Sequence, residues 1–205
     1  LTVLMIVGIW AVLRNCSEKT KTAVLVGLCL FNIVSFFVYK VALSRDAAFL
    51  EIIGEAQFNW FNELPLHLCN INMFFIPIGV LLKKRFFTGF SFFVAPLGAL
   101  MALSFPEDAF SGYSLLEPRM IGFYLTHILL LVCGISLATL GFYRPQVRDL
   151  PKICGFLLLV VLCAHGVNTL LRLNVCPYAN YFFTYGSEIS ILKGMWNLIP
   201  VPFLY

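Results

Sequence analysis

Five side chains with nucleophilic or hydrogen-bonding capacity, Glu63, His67, Cys69, Asn70 and Asn72, fall within ten residues of the run NWFNELPLHLCNINMFFIP at 59–77. A cysteine at the start of a helix is drawn toward its thiolate by the helix dipole, and a neighbouring imidazole can take the proton. The carboxamides of Asn70 or Asn72 can donate hydrogen bonds to an oxyanion. A thiolate, a base and oxyanion donors suit acyl transfer through a thioester.

Helical spacing decides which residue can serve as the base. Positions three or four apart share a helix face, whereas positions two apart point in nearly opposite directions. Read as a helix from Pro65, a favoured first-turn residue, the run pairs Cys69 with Asn72 and His67 with Asn70. His67 is then a poor base for Cys69, and the base is expected from another element. Tyr124 and His127 share one face. His165, Asn168 and Arg172 follow at i, i+3 and i+7 as a polar stripe, and the Arg172 guanidinium suits a lipid phosphate. Glu63 reads as a helix-start residue rather than an acid catalyst.

The elements that carry these residues are membrane helices. The chain has 205 residues, is 60% hydrophobic and only 12% charged, where a soluble domain carries about 25% charged residues. Apolar runs of about 20 residues are long enough to cross a bilayer. The sequence predicts spans over 1–13, 22–43, 65–82, 86–105, 118–142, 151–173 and 189–205. The first is short and reads as trimmed; no basic segment precedes it and no small-residue cleavage site follows, so a signal peptide fits less well. Residues 44–62 are too acidic to span, yet Phe49, Leu50, Ile52, Ile53, Ala56, Trp60 and Phe61 recur at near-helical spacing, as in a helix lying in the interface. In the fourth run Ala95, Gly98, Ala99 and Ala102 flank Pro96 and offer small residues for close packing. The expected fold is all-α: one polytopic membrane helical bundle over 1–205, with about seven transmembrane helices.

The net charge of +4 follows topology and not nucleic-acid binding. The loops after the first, third and fifth spans hold nine of the fourteen Lys and Arg against two of the ten acids. The positive-inside rule puts those loops in the cytoplasm, and the Asn15-Cys16-Ser17 sequon falls on the same side. Cys69 then lies roughly 6 Å, His165 about 10 Å and His127 about 12 Å below the outer face, at 1.5 Å per residue. The Cys69 cluster and all three histidines share one outer layer.

Each feature also has a plainer reading. Cys29, Cys133, Cys154 and Cys163 lie inside apolar runs and read as buried small hydrophobes. A membrane histidine often ties helices together, and Asn168 with Arg172 can form a hydrogen-bond network. No His-x-x-x-His pair or inward carboxylate supports a metal site. The aromatic segment CPYANYFFTYGSE at 176–188 reads as an interfacial belt.

The runs LPLHLCNI at 64–71, FYLTHILLL at 123–131 and NYFF at 180–183 resemble the YwaF-type family of seven-span bacterial membrane proteins, whose animal relatives are the transmembrane protein 164 acyltransferases. The resemblance covers essentially the whole chain in order and spacing, and LPLHLC is its most specific part. It implies transfer of fatty acyl chains between lipids, with the Cys of the matching motif, here Cys69, as nucleophile. The family is also similar to the androgen-induced membrane hydrolases of fatty-acid esters, which pair a nucleophile with a membrane histidine. That analogy favours His127 as the partner, with His165 next.

The expectation is a membrane-embedded lipid acyltransferase, transacylase or acyl hydrolase in a bacterial cytoplasmic membrane, acting on membrane lipid and needing no cofactor. Cys69 and His127 would be catalytic. His67, Asn70, Asn72, Tyr124, His165, Asn168 and Arg172 would bind substrate. The alternative is a carrier or solute-binding membrane subunit with an outward polar pocket, or a membrane scaffold. The lack of obvious inverted halves weighs against a stand-alone transporter.

Overall fold

The computed structural model describes residues 1–52, 56–105, 116–186 and the positions 193, 194 and 197. Among the described residues the architecture is helical throughout, with α1 at Thr2–Leu13, α2 at Glu18–Leu43, α3 at Ala47–Ile52, α4 at Leu68–Leu81, α5 at Arg85–Ser104, α6 at Pro118–Thr139 and α7 at Leu150–Asn174. The helices α2, α5, α6 and α7 are long and apolar enough to cross a membrane, whereas α1 and α4 are shorter apolar helices. Most of the last predicted span, and most of the acidic loop before Glu117, lie outside the described residues.

The apolar faces explain the packing order. α6 is the most enclosed helix and packs on α5, α2, α1 and α4. Its core-facing Leu130, Leu131, Cys133 and Leu137 meet Leu25, Cys29 and Phe36 of α2, Met73, Ile76 and Val80 of α4, and Ala95 and Ala99 of α5 in one cluster. Small residues let α5 and α6 approach closely: Ala95 and Ala99 are fully buried, and a Cβ on Gly134 would come within 2.8 Å of the Pro96 ring. A second cluster, Phe90, Val94 and Ile153, joins α5 to α7.

Charged pairs mark the two ends of the bundle. Lys83 Nζ meets Glu18 Oε1 at 2.7 Å, and Arg85 Nη2 meets Asp149 Oδ2 at 2.7 Å, where α2, α5 and α7 begin. At the other end, where α2 finishes and α4 begins, Lys40 pairs with Glu63. The first is the basic end and the second the Cys69 end.

Several boundaries differ from expectation. α2 starts at Glu18, ahead of the expected residue 22, because the Ser17 hydroxyl accepts the Thr20 N–H at 3.2 Å as an N-cap. α6 stops at Thr139, short of residue 142, and a left-handed Gly141 (φ 88°) turns the chain. The interfacial segment resolves into α3 and a 3₁₀ turn at Trp60–Asn62. α4 starts at Leu68, and not near Pro65. Glu63 is therefore not a helix-start residue; five residues before the helix, it serves as the partner of Lys40. Two cysteines also correct the expectation of burial. Cys29 and Cys133 are buried, but Cys154 and Cys163 are exposed, because they lie on a face of α7 that the described helices leave open, along with Leu158, Leu159 and Leu162.

Candidate functional site

The Cys69 end is built on the first turn of α4. His67 is its N-cap, with extended backbone (φ −66°, ψ 153°). The helical-face argument therefore does not apply to His67, which lies outside the helix. Its ring turns toward the segment after α7, 5.1 Å from the Tyr181 ring and 5.5 Å from that of Phe183. Cys69, two residues on, packs against the bundle core and faces α5. Its Sγ lies where a Cβ on Gly98 would come within 2.9 Å, so the glycine makes room for the thiol. Asn72, on the Cys69 face, is fully buried. Its Nδ2 donates to Leu68 O at 2.8 Å, while its Oδ1 has no partner among the described residues. Asn70 is half-buried.

His127 faces inward from α6, half-buried, with Nδ1 2.8 Å from Phe123 O and its ring 4.2 Å from the Phe123 ring. A carbonyl oxygen only accepts, so Nδ1 carries the hydrogen and Nε2 keeps the lone pair. Tyr124 is half-buried beside Phe123, their ring centres 5.6 Å apart. His67, His127 and Lys40 lie close enough for His127 and Lys40 to act electrostatically on His67. The Cys69 thiol is hydrogen-bonded to none of the three histidines among the described residues.

The α7 stripe converges on the chain's own loop. Asn168 is fully buried; its Nδ2 donates to Tyr181 O (2.8 Å) and Thr184 Oγ1 (2.9 Å), and its Oδ1 accepts Tyr181 N–H (2.8 Å). His165 Nδ1 sits 3.1 Å from Thr184 Oγ1, and its ring stacks on Tyr185 at 4.8 Å. Arg172 donates to Ala179 O at 3.3 Å and lies over the Tyr185 ring. The clamped loop holds Phe182 and Phe183 at φ 58° and 56°, a left-handed conformation that costs about 1–3 kcal/mol per residue and persists where surroundings impose it. Burial raises the Tyr181 phenol above its ordinary range, so it stays a hydroxyl that both donates and accepts.

The model of the TMEM164 family matches residues 1–203. The chain belongs to the TMEM164 family. No curated protein and no solved structure matches it. Within this TMEM164-family chain, LPLHLC forms the entry to α4, FYLTHILLL the stretch of α6 that bears His127, and NYFF the clamped loop.

Sequence reasoning missed Lys40 and the part played by Tyr181, and it read Gly98 as a close-packing residue without its neighbour Cys69. Lys40 had a legible signal, being the only charged residue between Ala23 and Leu43, and an ionisable residue inside a span points to a partner. It pairs with Glu63 and lies over the rings of Phe36 and Tyr39. Beside that pair is a cavity of about 250 Å³ lined by Phe49, Phe58, Asn62, Glu63, Arg119 and Tyr178 among others.

Proposed function

We propose that this protein transfers or hydrolyses a lipid acyl group, with Cys69 as nucleophile and His127 as base. The observation that carries the reading is the seat of Cys69, in the first turn of α4 against Gly98, at the bundle end where His67, His127 and Lys40 gather. His127 Nε2, with its lone pair unspent by the Phe123 bond, takes the thiol proton. The thiolate adds to an ester carbonyl; the C–S bond forms, and the C–O bond breaks as the imidazolium returns the proton to the leaving alkoxide. An acceptor hydroxyl, or water, then attacks the thioester by the reverse sequence. In this reading Asn70 or Asn72 donates a side-chain N–H to the oxyanion.

His127 is favoured over His165 by position. It lies close enough to His67 to act on it electrostatically, whereas His165 is engaged with the loop after α7, its Nδ1 bonded to Thr184 Oγ1, which also accepts from Asn168 Nδ2. Asn168 and Arg172 hold Tyr181 and Ala179, so their part in substrate binding is to shape the loop beside the site. By the charge of its loops the Cys69 end faces outward from a bacterial cytoplasmic membrane, and the substrate is membrane lipid of that leaflet.

One observation favours a second reading. The cavity beside Lys40 and Glu63 carries Arg119, Asn59 and Asn62 on its walls, as a solute-binding subunit or carrier requires. The test is intact-protein mass spectrometry after incubation with membrane phospholipid. The acyl-transfer reading expects a hydroxylamine-labile adduct on Cys69, lost in Cys69→Ala and slowed in His127→Ala. No adduct with any donor lipid, together with solute uptake or binding unaffected by Cys69→Ala, would establish the carrier.

A further inference from the structure

The basic end holds a second cavity, about 280 Å³, between the first turns of α5 and α7. Its inner wall is Tyr143, which is 2% exposed. Tyr143 donates its hydroxyl to Asp149 Oδ2 at 2.6 Å. Arg85 reaches the same oxygen through Nη2 at 2.7 Å and the Arg144 carbonyl at 2.8 Å, and its guanidinium covers the Tyr143 ring at 4.8 Å. Gly89 permits this arrangement, because a Cβ there would stand 2.9 Å from Tyr143 Cε2. The aromatic ring, the carboxylate and the shared hydrogen bonds fix the guanidinium in one orientation.

Arginine offers five N–H donors, and the two bonds of Arg85 both come from Nη2. Nη1 and Nε are not used among the described residues, and the exposed Lys152 stands on the rim. Among the described residues Asp149 is the one acid lining the cavity, and it is spent on Arg85 and Tyr143. Around it Lys84, Arg144 and Arg148 add positive charge. Phe86 and Ile153 line the cavity toward the helices. Phe86 packs edge to face on Phe87 and Phe156, and Phe156 in turn on Phe87 and Phe90, with centroids 4.7–6.3 Å apart. The cavity is thus cationic at its mouth and aromatic at its floor.

We propose that this cavity binds the phosphate of an anionic phospholipid headgroup, with Arg85 and Lys152 on the phosphate and the first methylenes of the acyl chains against Phe86 and the open face of α7. Charge complementarity selects an anion, and basic pockets between membrane helices suit anionic headgroups. The aromatic floor selects a lipid over a free phosphate. Cys69 lies at the opposite end of the bundle, so the site stands independently of the acyl-transfer reading.

The full-length protein, reconstituted in bilayer nanodiscs of equal parts phosphatidylcholine and phosphatidylglycerol and released for native mass spectrometry, tests this directly. Wild type is expected to retain phosphatidylglycerol over phosphatidylcholine by roughly tenfold, and Lys152→Gln, which leaves the Arg85–Asp149–Tyr143 arrangement whole, to lower that preference about fivefold. Arg85→Gln with Lys152→Gln removes it. Lys19→Gln with Lys21→Gln, two charges lost at the same end but outside the cavity, leaves it intact. Equal loss in that control means diffuse surface charge and overturns the site, as does wild type without preference. If soluble glycerol phosphate displaces the lipid at equal concentration, the aromatic floor contributes nothing and the lipid assignment fails.

Discussion

Tyr181 and Leu64 lie 117 residues apart, and the Tyr181 hydroxyl accepts the Leu64 N–H at 3.0 Å. The same hydroxyl donates to Phe61 O at 2.7 Å. Leu64 opens the LPLHLC run, so the loop after α7 fixes the approach of the chain to α4. It also supplies the ring on which His67 rests. The two ends of the relationship are unlike: one is a strained loop held by Asn168, the other the non-helical entry to Cys69.

Tyr181→Phe keeps the ring and removes only the hydroxyl. It strands the Leu64 N–H and the Phe61 carbonyl, at about 1–3 kcal/mol for a buried group left unpaired. We expect a lower melting temperature in detergent and faster labelling of Cys69 by a maleimide in the folded protein, because the first turn of α4 loosens. Unchanged labelling would show that α4 is positioned by its core contacts alone.

Asn168→Ala removes all three bonds to the Tyr181–Thr184 loop at once. The backbone N–H and carbonyl of Tyr181 lose their partner, each costing on the order of 1–3 kcal/mol, and the left-handed Phe182 and Phe183 lose what imposes them. The expected result is strong destabilisation with proteolytic cleavage at the loop. Asn168→Asp keeps the acceptor for Tyr181 N–H and should fall between alanine and wild type.

The apolar runs were legible because the bilayer imposes length and composition on them, and α2, α5, α6 and α7 fall where hydropathy puts them. The entry to α4 was not. Pro65 carries a helix-start signal, but Tyr181 takes the Leu64 N–H from a distance that no local pattern encodes. The histidine and cysteine positions could be assigned to one end of the bundle from spacing. Their neighbours could not: the seat of Cys69 depends on Gly98, and the role of Asn168 depends on a loop that reads as an aromatic belt.

The Lys40–Glu63 pair is partly enclosed, with side chains 12% and 19% exposed. Breaking such a pair on one side leaves an uncompensated charge and costs about 3–5 kcal/mol when buried. Lys40→Met is therefore expected to destabilise strongly, and Lys40→Met with Glu63→Gln to recover most of the loss. A double-mutant cycle on thermal unfolding measures this; additive losses would show that the pair contributes no coupling.

At the basic end, burial and then the hydrogen bond to Asp149 push the Tyr143 phenol up to about 12 from its ordinary 10.0. A folded pKa above the unfolded one means that the fold holds the proton more tightly. The stability tied to this group is whole below pH 10 and lost as pH rises through 12. Asp149 runs the other way: the Tyr143 hydrogen bond, followed by Arg85, holds its carboxyl below the ordinary 3.8, so its contribution is lost as pH falls below that value. Tyr143→Phe should flatten the alkaline limb of a melting-temperature profile and shift the acid limb upward. An alkaline limb identical to wild type would place the titration elsewhere.

Gly98→Ala puts a Cβ 2.9 Å from the Cys69 Sγ. The helix backbone cannot give way without moving α5 off α4 and α6, so the thiol must turn. Overpacking of this size costs about 1–3 kcal/mol, which leaves the protein folded. A reacting atom displaced by about 1 Å loses up to a hundredfold in rate. The expected outcome is a folded protein whose Cys69 acyl adduct forms at least tenfold more slowly, while Gly27→Ala, in open space on α2, changes neither. If Gly98→Ala forms the adduct at the wild-type rate, the seat against α5 is packing alone, and the nucleophile attacks from another rotamer.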